Sequence, residues 1–369
     1  MKLIIAGDFC PKDRVAKLIE TGDFASIFDQ VRNVIDKSDY SIVNLECPIV
    51  IGDAKPIDKI GPNLKTSEKG LEAIEWTGFK CVSLANNHFF DFGEKGVSDT
   101  LRVSKELGID TVGGGKNIEE ASAVLYKTIG NETLAIINCC EHEFSIATEN
   151  QGGANSLNPI KQFYAIKEAK VKADHVIVIV HGGHEHWQLP SLRMVETYRF
   201  FIDAGADVVI NHHQHCFSGY ETYKGKPIFY GLGNFCFDRP NKRDSIWNQG
   251  YMVMLDFVGG ISWEIIPYSQ CDAEPDIVIL DYDAYKTRIE ELNSIIASKE
   301  RLANETEKYY DSCSKHYSDI FEPIRNRYYL ALKRKGRLPS LISKKRKMQA
   351  NNYICCESHR DKLFWYLYH

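Results

Sequence analysis

One stretch of this chain, residues 206–238, constrains its fold most strongly, because it combines strand-like runs with three closely spaced histidines. Residues 207–210 form a short β-branched run, which is typical of a buried strand. His212, His213 and His215 follow at once. Neutral imidazoles at the end of a strand are common metal ligands. The pattern therefore indicates a metal site, and a polar loop that binds nothing is the alternative it leaves open.

The composition is that of an ordinary globular protein with room for one large domain or two. The chain has 369 residues, of which 44% are hydrophobic and 26% charged, and its net charge is −5. No apolar run is as long as a membrane span, and the first residues lack the pattern of a signal peptide. The 11 cysteines are odd in number and include no CxxC pair. These features predict a reduced, cytoplasmic protein.

Strand-like and helix-like segments alternate along residues 1–268, which predicts one α/β domain with strands sandwiched between helices. Helical spacing recurs between the strands, for example in residues 27–35 and 160–172. The predicted strands are residues 2–6, 40–45, 81–85, 109–112, 132–138, 175–180, 207–210 and 228–230, with a closing hairpin at 251–257 and 261–266.

The character of the chain changes after about residue 268, which predicts a helical extension over residues 269–369. Within it, residues 324–348 contain ten Lys or Arg and no Asp or Glu, interleaved with apolar and aromatic side chains. This pattern fits a segment that contacts a membrane surface or binds a polyanion. It fits equally a solvated helical face that balances an acidic body.

Polar residues follow the predicted strands at the point where each strand ends. Parallel strands deliver such positions to one edge of an α/β sheet, where ligands bind. Two carboxylates, one amide and three imidazoles are a mixed oxygen and nitrogen set that suits first-row metals and is large enough for two ions. A pair of ions would activate a water molecule for in-line attack. These residues are Asp8, Glu46, Asn87, His181, His213 and His215, and His88 follows Asn87 at the same strand end.

Five motifs occur in a fixed order along residues 1–268, and together they resemble one known family. They are GD at 7–8, NLE at 44–46, ANNHFFDFGEKG at 85–96, HGGHEHW at 181–187, and the long stretch at 205–238. The set resembles the poly-γ-glutamate capsule-synthesis (CapA-like) family, which is related to the calcineurin-like metallophosphoesterases. The resemblance implies a β-sandwich flanked by helices and a dinuclear metal centre.

The resemblance also implies roles for individual residues. His88 would act as a general acid or electrostatic clamp, with Asp91 orienting it unless Asp91 is only a turn residue. Glu185 would support the site or face the substrate, while His184, His186 and His212 have no assigned role. Two divalent ions, of manganese, iron or zinc, would be bound by Asp8, Glu46, Asn87, His181, His213 and His215.

Two departures from the phosphoesterase pattern concern the second ion. Cys10 stands where that pattern has a histidine, either as a soft ligand or as a small buried residue. The bridging position has Glu46 instead of an aspartate. Both departures bear on whether a second ion is bound and whether the chemistry is that of a phosphoesterase.

The function implied by the resemblance is metal-dependent hydrolysis of a phosphoester or amide bond, associated with capsule or poly-γ-glutamate synthesis. The alternative is a non-catalytic component of capsule assembly or export that binds an anionic polymer near the membrane through residues 324–348. Ligation of glutamate is disfavoured, because residues 113–116 lack the spacing of a nucleotide-binding P-loop. No nucleic acid partner is expected.

Overall fold

The computed structural model describes residues 1–318, 322–324 and 326–355. The chain divides into two compact units, Met1–Leu302 and Ala303–His369. Residues 269–302, which the sequence pattern assigns to the helical extension, therefore belong to the first unit. Residues 319–321 and 356–369 of the predicted extension, and residue 325 of its basic segment, lie outside the described residues.

Strands and helices alternate through most of the first unit, as the sequence predicts. The strands are β1 (Lys2–Phe9), β2 (Tyr40–Leu45), β3 (Cys81–Ser83), β4 (Asp110–Val112), β5 (Gly114–Gly115), β6 (Leu125–Ile129), β7 (Glu132–Cys140), β8 (Gly153–Ala154), β9 (His175–His181), β10 (Val208–His212), β11 (Tyr220–Tyr223), β12 (Lys226–Phe229), β13 (Asn234–Cys236), β14 (Gln249–Asp256), β15 (Ser262–Gln270) and β16 (Ile277–Ile279). The helices are α1 (Asp13–Thr21), α2 (Ala25–Ile35), α3 (Glu68–Thr77), α4 (Gly93–Glu106), α5 (Ile118–Ala121), α6 (Pro159–Lys172), α7 (Leu192–Ala204), α8 (Asp283–Ile296), α9 (Lys299–Ser318), α10 (Arg327–Arg334) and α11 (Lys344–Cys355).

Two main sheets form the frame of the first unit. The first has the order β16-β15-β14-β1-β2-β3-β4, with β13 paired to β1. Its strands β1 to β4 are parallel, and β14 to β16 continue it as an antiparallel meander. The second has the order β11-β12-β10-β9-β7-β6, with parallel strands in the middle and antiparallel strands at both edges.

The two sheets pack face to face. One hydrophobic cluster joins Leu3 and Ile42 of the first sheet to Ile177 and Val209 of the second. Burying both apolar faces against each other is what stabilises a sandwich of this kind. The central strands β2 and β9 are buried on both sides, because helices cover the outer faces of the sheets, and β9 is a continuous apolar run between its two terminal histidines.

Helices cover the outer faces of both sheets. On the first sheet, Val15 of α1 and Phe28 of α2 share a second hydrophobic cluster with Ile4 of β1. On the second sheet, Ile166 of α6 and Tyr198 of α7 extend the first hydrophobic cluster to the outer face. The α/β architecture, with a β-sandwich flanked by helices, is therefore confirmed. The predicted closing hairpin is also confirmed as β14 and β15.

The second unit contains α10 and α11, which carry most of the basic segment. Lys333 pairs with Glu322 at 3.0 Å within this unit. Burial would raise the pKa of Glu322, but hydrogen bonds from Ser340 and Lys333 lower it to about 2. The lysines and the arginine of residues 344–347 are exposed.

Candidate metal centre

The carboxyl ends of strands from both sheets meet at one place, and they carry the residues that the sequence singles out. Asp8 lies near the end of β1 and Glu46 directly follows β2, while His181 ends β9 and His213 directly follows β10. All four side chains are buried. The site thus forms between the two sheets, each of which contributes ligands.

Two overlapping sets of side chains have candidate ligand atoms within 4.8 Å of one another. The first set is Glu46, His181 and His213, and the second is Asp8, Glu46 and His215. Glu46 belongs to both sets. A carboxylate that is common to two sets can bridge two ions, which is the role that the resemblance implies for this residue.

In the first set, the atoms already have the separations of ligands around a common ion. His181 Nε2 lies 3.0 Å from His213 Nδ1 and 3.0 Å from Asn87 Oδ1. It lies 3.6 Å from Glu46 Oε1. Two nitrogens about 2.1 Å from one ion, at roughly a right angle, would be about 3.0 Å apart. Asn87 is therefore positioned to complete this set with an amide oxygen.

In the second set, His215 is held in one tautomer. The Asn234 amide donates to two backbone carbonyls, those of His215 and Trp247. Its oxygen therefore faces His215 Nδ1, at 2.9 Å, and the ring must donate a proton there. This leaves the lone pair on Nε2, which lies 3.6 Å from Glu46 Oε1. A histidine fixed through its other nitrogen is typical of metal ligands.

Asp8 is oriented by the sheet neighbour of its strand. Asn44 Nδ2 donates to Asp8 Oδ1 at 2.7 Å, and the backbone N–H of His213 donates to Oδ2 at 3.2 Å. Asn44 is the first residue of the NLE motif, and the sequence alone indicates no role for it. Its position in the parallel register beside Asp8 explains why that motif begins with a short amide side chain.

Glu46 provides the test of whether a cation fits. Both of its carboxylate oxygens are buried, and neither accepts a hydrogen bond. Burial, followed by the charge of Asp8, raises the pKa of Glu46 well above its ordinary value. Burial also raises the pKa of Asp8 to about 7. Divalent ions would supply the charge compensation that these buried carboxylates lack, so the residues fit a metal centre.

Burial favours the neutral form of His181, His212 and His215. Burial, followed by the neighbouring imidazoles, lowers the pKa of His181 and His215 well below the ordinary value for histidine. Burial alone lowers the pKa of His212 to about 3. Neutral histidine offers a lone pair, whereas the protonated form would repel a cation.

The backbone around the histidines is strained. His213 has φ of 90° and His215 has φ of 55°. Both values lie in a region that side chains with a Cβ seldom adopt, and such conformations cost on the order of 1–3 kcal/mol each. The strain occurs at the two residues whose rings both lie in a candidate ligand set with the Glu46 carboxylate.

A close approach of two glycines explains the GD motif. A Cβ on Gly7 would lie 1.9 Å from the carbonyl oxygen of Gly233. The next backbone N–H, that of Asp8, donates to the same oxygen at 3.2 Å. A glycine before Asp8 is therefore required for β1 to pass close to the Gly233 turn.

His88 belongs to a buried network beside the metal ligands. Its Nδ1 lies 2.6 Å from Asp91 Oδ2, so Asp91 does contact the ring, as the resemblance implies. Lys59 Nζ pairs with the other oxygen of Asp91 and lies 3.1 Å from His88 Nδ1. Burial lowers the pKa of His88, although the hydrogen bond with Asp91 opposes this. Lys59 was missed because it lies in a turn-rich segment without a motif.

The remaining histidines and Glu185 lie around this centre. The Glu185 side chain is about half exposed, and its carboxylate is 3.9 Å from His186 Nε2. It is outside both candidate ligand sets. His212 is buried, with Nδ1 3.6 Å from Asp8 Oδ1. His184 is partly buried, and His186 is exposed with its ring centroid 6.1 Å from that of His215.

Cys10 is buried and lies outside both candidate ligand sets. Burial, followed by the neighbouring Cys47 thiol, raises the pKa of Cys10 well above its ordinary value. A neutral buried thiol behaves as a small apolar residue. All nine cysteines whose state is described are free.

Comparison with known proteins identifies one family. Residues 2–239 match the family described as "Bacterial capsule synthesis protein PGA_cap". The capsule biosynthesis protein CapA of Bacillus anthracis is 33% identical over 247 residues, which cover 65% of this chain and 60% of that protein. The PGA biosynthesis protein CapA of Bacillus subtilis is 32% identical over 292 residues, which cover 78% of this chain and 76% of that protein.

More distant similarities extend to other organisms and to solved structures. A probable polyglutamine synthesis accessory protein of Mycobacterium tuberculosis is 28% identical over 210 residues, covering 53% of this chain and 55% of that protein. The structure of a putative 5'-nucleotidase from Staphylococcus aureus is 17% identical with a TM-score of 0.43, covering 79% of this chain and 58% of that one.

Proposed function

The chain belongs to the bacterial capsule synthesis protein PGA_cap family, and we propose that it is a metal-dependent hydrolase that acts in capsule or poly-γ-glutamate synthesis. The bond cleaved is an amide or phosphoester within or attached to an anionic polymer. The observation that supports this most is the buried Glu46 carboxylate, which has no hydrogen bond and is common to both ligand sets. A fold gains nothing from such a group unless a cation joins it.

The residues divide between holding the ions and handling the substrate. When bound, two divalent ions of manganese, iron or zinc would lower the pKa of a water molecule and stabilise charge on the reacting group. The residues that would hold them are Asp8, Glu46, Asn87, His181, His213 and His215.

His88 would act on the leaving group. Asp91 contacts its Nδ1, so Nε2 is the nitrogen available to the substrate. As the oxygen of the attacking water bonds to carbon or phosphorus, the bond to the departing nitrogen or oxygen breaks, and the departing atom takes up the proton that this water loses. His88 would hydrogen-bond to this atom and orient the proton transfer. Glu185 would face the substrate from the half-exposed rim.

A second candidate function is a non-catalytic component that binds an anionic polymer near the membrane. The exposed basic side chains of residues 344–347 favour it. Among the described residues, no helix is long and apolar enough to cross a membrane. In this second hypothesis, residues 324–348 would contact the membrane peripherally, with the protein in the cytoplasm.

Turnover and polymer binding separate the two functions. The metal-reconstituted protein is assayed with an oligomer of γ-linked glutamate and with a chromogenic phosphodiester, beside His213→Ala and a variant with residues 344–347 changed to Gln. Hydrolysis is expected to be lost in His213→Ala and kept in the Gln variant. No turnover of either substrate, together with polymer binding that disappears in the Gln variant, would refute the hydrolase and support the second function.

A further inference from the structure

Two cations lie on the same aromatic wall as one of the metal ligands. The guanidinium carbon of Arg239 is 4.8 Å from the Trp247 ring centroid, and Lys242 Nζ is 5.9 Å from the same ring. The same ring also lies beside the metal centre, because the Trp247 ring centroid is 4.8 Å from that of His215. Phe237 repeats the arrangement, at 5.5 Å from both Arg239 and His215. Arg239 and the metal ligand His215 thus both lie beside Trp247 and Phe237, and Lys242 lies beside Trp247.

Neither cation has a direct side-chain partner among the described residues, and the charge of Arg239 acts on the buried Glu46 carboxylate only over a distance, where it opposes the rise in its pKa. Among residues 1–318, 322–324 and 326–355, no ion pair or side-chain hydrogen bond involves the Arg239 guanidinium or Lys242 Nζ. The carboxylate next in sequence, Asp238, is already occupied by a bidentate pair with Arg14, at 2.9 Å to each oxygen. The positive charge at this rim is therefore available to a ligand.

The wall that carries the cations is rigid. Trp247 is 1% exposed, and its indole N–H donates to the carbonyl of Phe237 at 2.7 Å. Arg239 and Lys242 come from one tight turn, in which the N–H of Lys242 donates to the carbonyl of Arg239 at 3.0 Å. Stacking on an aromatic face restricts a long cationic side chain and leaves its N–H groups able to bind an anion.

We propose that Arg239 and Lys242 form a subsite for an anionic group of the substrate, a carboxylate or a phosphate, beside the bond that is cleaved. The position of that bond rests on the proposed hydrolytic function, whereas the subsite itself rests on the two cations. A γ-linked glutamate chain presents one free carboxylate per monomer, so it would place such a group along the wall while another part of the chain reaches the metal centre. A substrate without a second anionic group would lack this contact.

Calorimetric binding to the full, metal-reconstituted chain tests the subsite without requiring turnover. The probes are a short oligomer of γ-linked glutamate and inorganic phosphate, and the variants are Arg239→Gln, Lys242→Gln and Arg239→Lys. Arg243→Gln is the matched control, because Arg243 is exposed in the same turn. We expect Kd for at least one probe to rise about 10-fold or more in each Gln variant. Arg239→Lys should keep much of the affinity, and Arg243→Gln should match the wild type.

The outcomes separate the subsite from the hydrolase. Metal content equal to that of the wild type shows that each variant is folded at the centre. If the loss affects the glutamate oligomer, the anion is a carboxylate, and if it affects inorganic phosphate alone, the anion is a phosphate. If the Gln variants bind the probe more weakly than the wild type does, and the wild type hydrolyses nothing, the subsite is supported and the proposed hydrolase is refuted. Equal Kd values for Arg239→Gln, Lys242→Gln and Arg243→Gln would overturn the subsite, whatever the turnover.

Discussion

Replacing Lys59 by methionine should destabilise the first unit far more than replacing an exposed lysine. The Lys59 and Asp91 side chains are 2% and 0% exposed, and they form an ion pair. Methionine would fill a similar space but leave the Asp91 carboxylate without its cation. Removing one partner of a buried pair typically costs about 3–5 kcal/mol.

The expected cost lies at the lower end of that range. Asp91 keeps a hydrogen bond from the backbone N–H of Leu64 at 2.7 Å and its contact with His88 at 2.6 Å. These partners offset part of the lost charge compensation. We therefore expect Lys59→Met to lower the free energy of unfolding by about 3 kcal/mol.

Urea denaturation of the metal-reconstituted protein measures this change through the shift in midpoint at constant slope. Lys69→Met is the matched control, because Lys69 pairs with Glu72 at 2.7 Å but is 40% exposed. Its midpoint should be unchanged. The double variant of Lys59→Met with Asp91→Asn should lose less than the two single variants combined. Equal midpoints for the Lys59 and Lys69 variants would show that the buried pair does not stabilise the site.

Three further substitutions test contacts that hold the strands and the ligand His215 in place. Gly7→Ala should lower the free energy of unfolding by about 3 kcal/mol or more in urea denaturation, because the new Cβ would lie 1.9 Å from the Gly233 carbonyl oxygen. Burial would raise the pKa of Asp207, but hydrogen bonds from two lysines and a backbone N–H hold it below the ordinary value. Asp207 therefore contributes stability above about pH 4, so the stability gap between wild type and Asp207→Asn should be full near neutral pH and close as the pH falls through the lowered pKa. Asn234→Leu removes the acceptor for His215 Nδ1 and should weaken metal affinity about 10- to 100-fold, measured in competition with a chelator. An unchanged affinity would contradict the tautomer in which His215 Nδ1 carries the proton.

The main parts of the site could be predicted because strand ends are visible in the sequence. Apolar runs such as β9 and β10 stop abruptly at His181 and at the histidines after residue 211. Parallel strands then bring these positions to a common edge, with no need to know any loop conformation. What this reasoning could not give was the division of the ligands between two sheets, because the sequence pattern does not show which strands share a sheet.

Residues outside the strands could not be predicted in the same way. Lys59 reaches Asp91 across 32 positions of sequence, and its loop is placed by tertiary hydrogen bonds instead of a periodic pattern. Arg239 is recognised as part of a site only through its stacking on Trp247, which the sequence does not show. The edge strand β11 was missed for a related reason, since its residues are half-exposed and carry little apolar alternation.

Metal content is the most direct test of the central claim that Glu46 is shared by two ions. Protein purified without chelator and reconstituted with manganese or zinc is measured by elemental analysis, beside Glu46→Gln, Asp8→Asn and His213→Ala. His142→Ala serves as the control, because His142 is exposed. We expect about two ions per chain in the wild type and in the His142→Ala control. Glu46→Gln should lose both ions, and Asp8→Asn and His213→Ala should each lose at least one. No bound metal in the wild type, or full occupancy in Glu46→Gln, would contradict this claim.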